Sequence, residues 1–463
     1  LYYLRIYHKV YAMWVAILQG TILLGLIIVL GRRIARKFIP YETAGIATVI
    51  GILCVIALYS IAGTAVYYLT NVTTFSLIIA VGITTVGIVV ATNNPNHKLI
   101  HELTSVSFAT VALNLITITS LATWWLTILN NPITEAVRSP WLTISPFVII
   151  APTLALICSF ILLKLSRSFG TSALAVTFFS IFASAVILFP LGIGFDPFLH
   201  RATVSHIAEF GTITPKPFYY IGEYSLELIA NLIAGVPIFF SNILLVPILA
   251  TLTFTVVARR ISAPVVILFL ALNNFVATTP QSLGYLFILL VIFTLPRIID
   301  DNHPKSLFVS YFIPIIFALA SFIAHPIAGV PAILLIALSL VKHHLLQFII
   351  AIVSTVALPI LFIVQGIISN STVAVTWQNL LRFDLLPLSG FFTSYGNTWL
   401  DALYFVSGNI SLILLVLAVV GLLFNQSKLT KLEKNSGLMA CTLIGSFVII
   451  SLGLDFGYSL FVF

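Results

Sequence analysis

The sequence predicts an all-α polytopic transmembrane bundle of about 14 spans, with short amphipathic helices in its outer loops. Three observations predict it. Hydrophobic residues make up 60% of the 463 positions, and mean hydropathy is +1.17. Charged residues make up only 7%, whereas a soluble domain is about half apolar and about a quarter charged. The apolar runs are continuous over about 20 residues and do not alternate, which selects helices over a closed barrel.

Hydropathy places spans near 11–31, 44–69, 75–92, 103–129, 146–163, 171–191, 238–257, 263–279, 283–296, 306–324, 328–342, 345–368, 400–424 and 438–454. The loop RRIARKF, with Arg32, Arg33, Arg36 and Lys37, marks the cytoplasmic side, because basic residues gather in cytoplasmic loops. Alternating from there, that side collects 15 of the 21 Lys and Arg residues. The opposite side holds Arg5, Lys9, Arg138, Arg201, Lys216 and Arg382, and the N-terminus lies outside. The net charge of +8 is therefore a topological signal and not a nucleic-acid footprint.

Cys54, Cys158 and Cys441 fall inside apolar runs and read as small buried hydrophobes, with no disulfide framework or metal-spaced cluster. The chain opens without Met, has no recognisable cleavable signal peptide and stops inside GYSLFVF, which suggests a segment of a longer protein.

Residues 1–170, with about five spans, read as an N-terminal block of unassigned role. The remainder, 171–463, carries two long outer connections, 192–237 and 369–399. Long ordered loops usually carry function. Asp196, Glu209, Glu223, Glu227, Asp384 and Asp401 lie in or beside these two, so the chemistry is expected on the extracytoplasmic face of a plasma membrane.

Within GFDPFLHRATVSHIAEFGTITPKPFYY, residues 194–220, Asp196 reads as an N-cap and Pro197 as the first helical residue, with Gly211 ending the helix. Leu199, Ala202, Val204, Ile207 and Phe210 define an apolar face, with Arg201, Ser205 and Glu209 opposite. His200 and Thr203 fall within the apolar face, and Asp196 projects to the same side. Such a helix lies flat on the membrane with Asp196 and His200 turned towards the bundle. Glu223 and Glu227 are four apart on one face of a short helix and need cationic partners or water.

DPFLHRATVSHIAEFG followed by PFYYIGEYSLELIANLI resembles the first outer loop of the GT-C membrane glycosyltransferases. That superfamily includes oligosaccharyltransferase catalytic subunits, protein mannosyltransferases and aminoarabinose transferases. SFIAHPIAG, with His325 before Pro326 at the outer end of a span, is a second point of similarity. The resemblance covers roughly 171–463. It departs from the family pattern in the five spans ahead of the module, and in Ser225 where related sequences often carry His.

The resemblance implies inverting transfer of a sugar from a polyprenyl-phosphate or polyprenyl-diphosphate donor to a lipid, glycan or protein acceptor. It matches Asp196 to the acidic residue that acts as general base or metal ligand. A divalent metal could then sit on Asp196 with Glu223 or Glu227, although no spacing demands one.

The chemistry also follows from the residues themselves. Sugar transfer needs a carboxylate to take the acceptor proton and cations to hold the departing phosphate. Arg201, Lys216, His325 and Arg382 are the outer-face candidates, with Arg382 favoured because it sits beside Asp384 in the second long loop, and His200 is a further substrate-binding candidate. A multi-pass transporter or lipid flippase is the alternative, and an envelope-polysaccharide ligase or polymerase is a further one. A transporter should place ionisable groups in mid-membrane near broken helices, whereas here they gather at one interface.

Overall fold

A backbone surrounded by lipid must satisfy its own polar groups, and the chain does so inside helices. The structure is a computed structural model. It describes residues 2–39, 42–93, 107–135, 137, 140–260, 272–295, 307–341, 343–368, 374–375, 398–402, 420 and 430–455.

The helices are α1 (Tyr2–Phe38), α2 (Ala44–Leu69), α3 (Thr74–Ala91), α4 (Phe108–Asn130), α5 (Ile150–Leu165), α6 (Arg167–Phe182), α7 (Ser184–Leu188) and α8 (Asp196–Phe210). They continue with α9 (Ile221–Leu232), α10 (Ile238–Arg260), α11 (Pro280–Thr294), α12 (Leu307–Ala324), α13 (Pro326–Leu340), α14 (His344–Ile368) and α15 (Lys431–Gly453). Ala374–Val375 pairs antiparallel with Leu454–Asp455.

Eight helices among the described residues are long and apolar enough to cross a membrane, and the chain is a helical integral membrane protein. Three shorter apolar helices, Pro280–Thr294, Tyr311–Ala324 and Pro326–Leu340, accompany them. Most of 263–279, 369–399 and 400–424 lies outside the described residues, and Arg382 and Asp384 are among these.

Local chemistry sets the ends of the elements. Thr73 and Ser76 form a reciprocal capping box at α3, and Thr279 with Pro280 opens α11. RRIARKF is the closing stretch of α1 and not a loop, because Arg36 and Lys37 complement the negative end of the helix dipole. At that end of the bundle Arg33 donates to Thr92 and Arg259 to Thr171, at 3.1 Å each. Cys54 and Cys158 are buried as expected, whereas Cys441 is exposed on α15.

One core joins both halves of the sequence, running from Leu30 of α1 through Phe254 and Phe317 to Met439 of α15. Residues 1–170 contribute α2, which packs against α9, α10 and α12. The outer faces of α1 and α3 expose Trp14, Leu18, Ile83 and Val90, as a lipid-facing surface does.

Helix α9 is too short to span and is almost wholly buried. The Ser60 hydroxyl donates to the Gly222 carbonyl at 2.6 Å. A Cβ on Gly222 would lie 3.0 Å from Ser60 Oγ, 3.0 Å from the Ala324 nitrogen and 2.7 Å from Ile323. Only a bare α-carbon fits between α2 and α12 there. Ser60 lies nine residues before the end of α2, so α9 begins about 14 Å below that tip at 1.5 Å per residue.

Candidate functional site

Helix α8 begins one residue earlier than the Asp196 cap implies. Asp196 is its first residue and Pro197 follows, and no side chain caps the preceding Phe195 position. The Asp196 carboxylate thus sits in the first turn, where the helix dipole favours negative charge. Partial burial pushes its carboxyl above the ordinary value of 3.8. Gly211 ends the helix with φ 78°, and its carbonyl accepts from Val72 at 2.8 Å.

The buried face of α8 is narrower than the apolar pattern suggests. Val204 and Ile207 are buried, whereas Leu199, Ala202 and Phe210 are exposed. A helix at a membrane surface has two apolar surroundings, the bundle and the lipid, so hydrophobicity does not by itself mark the inward face. Asp196, His200 and Val204 share one helical row.

His200 Nδ1 lies 2.8 Å from the Tyr224 hydroxyl of α9. Burial pushes the imidazole down from 6.5 to about 4, so it is neutral at pH 7 and the two groups share one hydrogen bond. Tyr220 meets His200 edge-on at 5.5 Å and stacks on His325 at 5.4 Å. Tyr220 has φ 77°, a left-handed conformation that costs a bulky residue energy and persists only where its surroundings fix it. His325 precedes α13 and is buried, and among the described residues its Nδ1 has no hydrogen-bond partner.

Glu223 and Glu227 are both 0% exposed. The expectation of cationic partners or water is met only in part. Ser241 and Asn242 of α10 donate to Glu227 at 3.1 and 3.3 Å, and the charge of Arg201 acts on it. Among the described residues neither oxygen of Glu223 has a donor. Burial first, and then repulsion from Glu227, push the Glu223 carboxyl well above the usual range. Asn242 is held where α10 is interrupted. The Thr278 amide donates to the Asn242 carbonyl at 3.1 Å, and the Thr278 hydroxyl accepts from Val246 beside Pro247.

Arg201 points away from His200. Its guanidinium lies over Phe198 at 4.9 Å and Phe239 at 5.5 Å, within cation–π range. It lines an open groove of about 580 Å³ with Leu191, Ser205 and Phe239, and also a narrow crevice behind it that reaches Asn242. Lys216 is committed elsewhere. Its ammonium donates to the Tyr67 carbonyl at 2.8 Å in the last turns of α2 and lies 5.1 Å from the Tyr67 ring.

The structure therefore brings His200 and His325 together around Tyr220 and Tyr224, with Glu223 and Glu227 buried on the same short helix as Tyr224. Arg201 lies apart on α8 against Phe198 and Phe239, and Asp196 begins that helix. Lys216 is set apart in the return loop. Tyr220, Tyr224, Ser241 and Asn242 were not singled out from the sequence, although the spacing of four between the two tyrosines signals a shared helical face. Among the described residues no three Asp, Glu, His or Cys side chains converge as a metal shell. No protein-family model, curated protein or solved structure matches the chain.

Proposed function

We propose that the protein is a membrane glycosyltransferase. It would move a sugar from a polyprenyl-phosphate or polyprenyl-diphosphate carrier to an acceptor hydroxyl at the outer membrane face, inverting the anomeric centre. The observation that carries this reading is the arrangement on α8. A partly buried carboxyl opens the helix, and five residues on an arginine lines an apolar groove.

In this reading the acceptor oxygen attacks C1 of the sugar as Asp196 takes its proton. The C1–oxygen bond to the lipid phosphate breaks, and the electron pair leaves on the phosphate. Arg201 offsets the charge developing there, while Leu191, Phe198 and Phe239 give the lipid an apolar bed. A carboxyl raised above 3.8 is a stronger base than a solvated aspartate. Arg382 remains a second candidate for the phosphate.

The test is turnover of a lipid-linked sugar donor in reconstituted vesicles. Asp196→Asn should abolish transfer and leave the helix and the melting temperature intact. Full activity in that variant would overturn the general-base role.

A multi-pass transporter is the second reading, and the Glu223–Glu227 pair is the observation that favours it. Intramembrane ionisable residues often mark ion pathways, and this pair lies beside the α12–α13 break at His325. Proton flux into sealed vesicles without any sugar donor would favour this reading over transfer.

A further inference from the structure

The buried acids of α9 are a different problem from Asp196, because nothing in the transfer chemistry uses them. The four carboxyl oxygens belong to residues that are 0% exposed, and among the described residues they receive two donors, Ser241 and Asn242, both on Glu227. The surrounding elements offer little charge. Helices α2, α3, α11 and α12 contain no Asp, Glu, Lys or Arg. Arg259 and Arg260 close α10 at its far end, where Arg259 bonds Thr171. Helix α8 contributes Arg201, whose charge acts on Glu227, and Tyr224 adjoins both acids. His200 and His325 face the neighbouring tyrosines.

Two full negative charges without matching donors would be costly at this site. Two neutral acids would leave the Ser241 and Asn242 donors and the nearby positive charge of Arg201 facing no negative charge. One proton resolves both difficulties. We propose that Glu223 and Glu227 form a single-proton site, with Glu223 the neutral acid donating to an ionised Glu227. The shared proton gives Glu227 a third donor and occupies the otherwise partnerless Glu223. The remaining negative charge then accepts from Ser241 and Asn242 and is felt by Arg201. Buried carboxyls one helical turn apart that act on each other titrate as a pair, so the proton belongs to both. The pair binds or releases a proton within the bundle, one helical turn from the tyrosine that bonds His200.

Infrared spectroscopy of the purified full chain in lipid nanodiscs tests this without turnover. Its outcome therefore does not depend on whether the protein transfers sugar. At pH 7 the protein should show a protonated-carboxyl stretching band that Glu223→Gln removes and Asp196→Asn leaves in place. In Glu227→Gln the band should persist at a shifted frequency, because the acceptor of the acid proton has changed from carboxylate to amide. That arm stands even if Glu223→Gln fails to fold. Absence of the band at pH 7 in the unaltered protein, its survival in Glu223→Gln, or an unshifted band in Glu227→Gln would each overturn the proposal. So would a melting temperature raised by sodium, magnesium or calcium together with two ionised carboxylates, since the pair would then be a cation site.

Discussion

Helices α8 and α9 follow each other in the chain, touch along one face and both carry carboxyl groups, yet they use them in opposite ways. Helix α8 lies at the surface with Asp196 partly exposed, at a helix end whose dipole welcomes charge. Helix α9 lies within the bundle with Glu223 and Glu227 cut off from water. A carboxyl at the first position can meet a ligand and exchange its proton with solvent. One at the second is governed by its neighbours. The difference separates a group available for reaction from a pair that sets the charge behind it.

The comparison breaks most visibly at Asp196. Asp196→Asn should lower transfer by about 100- to 10,000-fold, the usual contribution of a general base, with no change in melting temperature. The acid limb of the activity profile should lie above 3.8, because turnover falls as pH drops through the raised carboxyl value. Glu227→Ala should do the reverse at the level of stability. It strands the Asn242 donor, while Ser241 keeps the Ile238 carbonyl, and should cost about 1–3 kcal/mol, read from thermal unfolding beside Asp196→Ala, which should cost under about 0.5 kcal/mol.

His200 sharpens the contrast through pH. Its folded value is depressed from 6.5 to about 4, so its stabilising contribution is complete above pH 6.5 and is lost as pH falls through about 4. Thermal unfolding between pH 7 and 4 should show a loss on the order of 1–3 kcal/mol, and His200→Gln should flatten it. The smallest effect belongs to Lys216. Lys216→Met removes a cation from the C-terminal carbonyls of α2 and should cost about 0.3–1 kcal/mol, with transfer unchanged.

The bundle was legible in the sequence because lipid leaves the backbone one solution, and continuous apolar runs announce it. Helix ends were less legible. Basic side chains can lie on a helix as readily as after it, so RRIARKF looked like a loop and is the end of α1. At the site, His200 was found from its place on the inward row of α8. Lys216 looked like a phosphate ligand because sequence shows a charge and not its partner, and its partner is a backbone carbonyl 149 positions away. The acids of α9 read as surface groups for a related reason. Four-residue spacing gives a shared face but not its surroundings, and the burial of that face comes from α2 and α10. Tyr220 and Tyr224 were hidden because aromatic residues are common throughout this chain.

Gly222 has a consequence for how such a site responds to a change of charge. With the Ser60 hydroxyl on its carbonyl and the end of α12 against its α-carbon, the start of α9 has one depth available and no slack. Dipoles anchored in this way are already oriented when charge appears beside them, and the reorganisation that free water would undergo is absent. The compliance of the site then belongs to α8, whose Leu199 and Phe210 are exposed, and the reference against which it moves is fixed by a residue with no side chain.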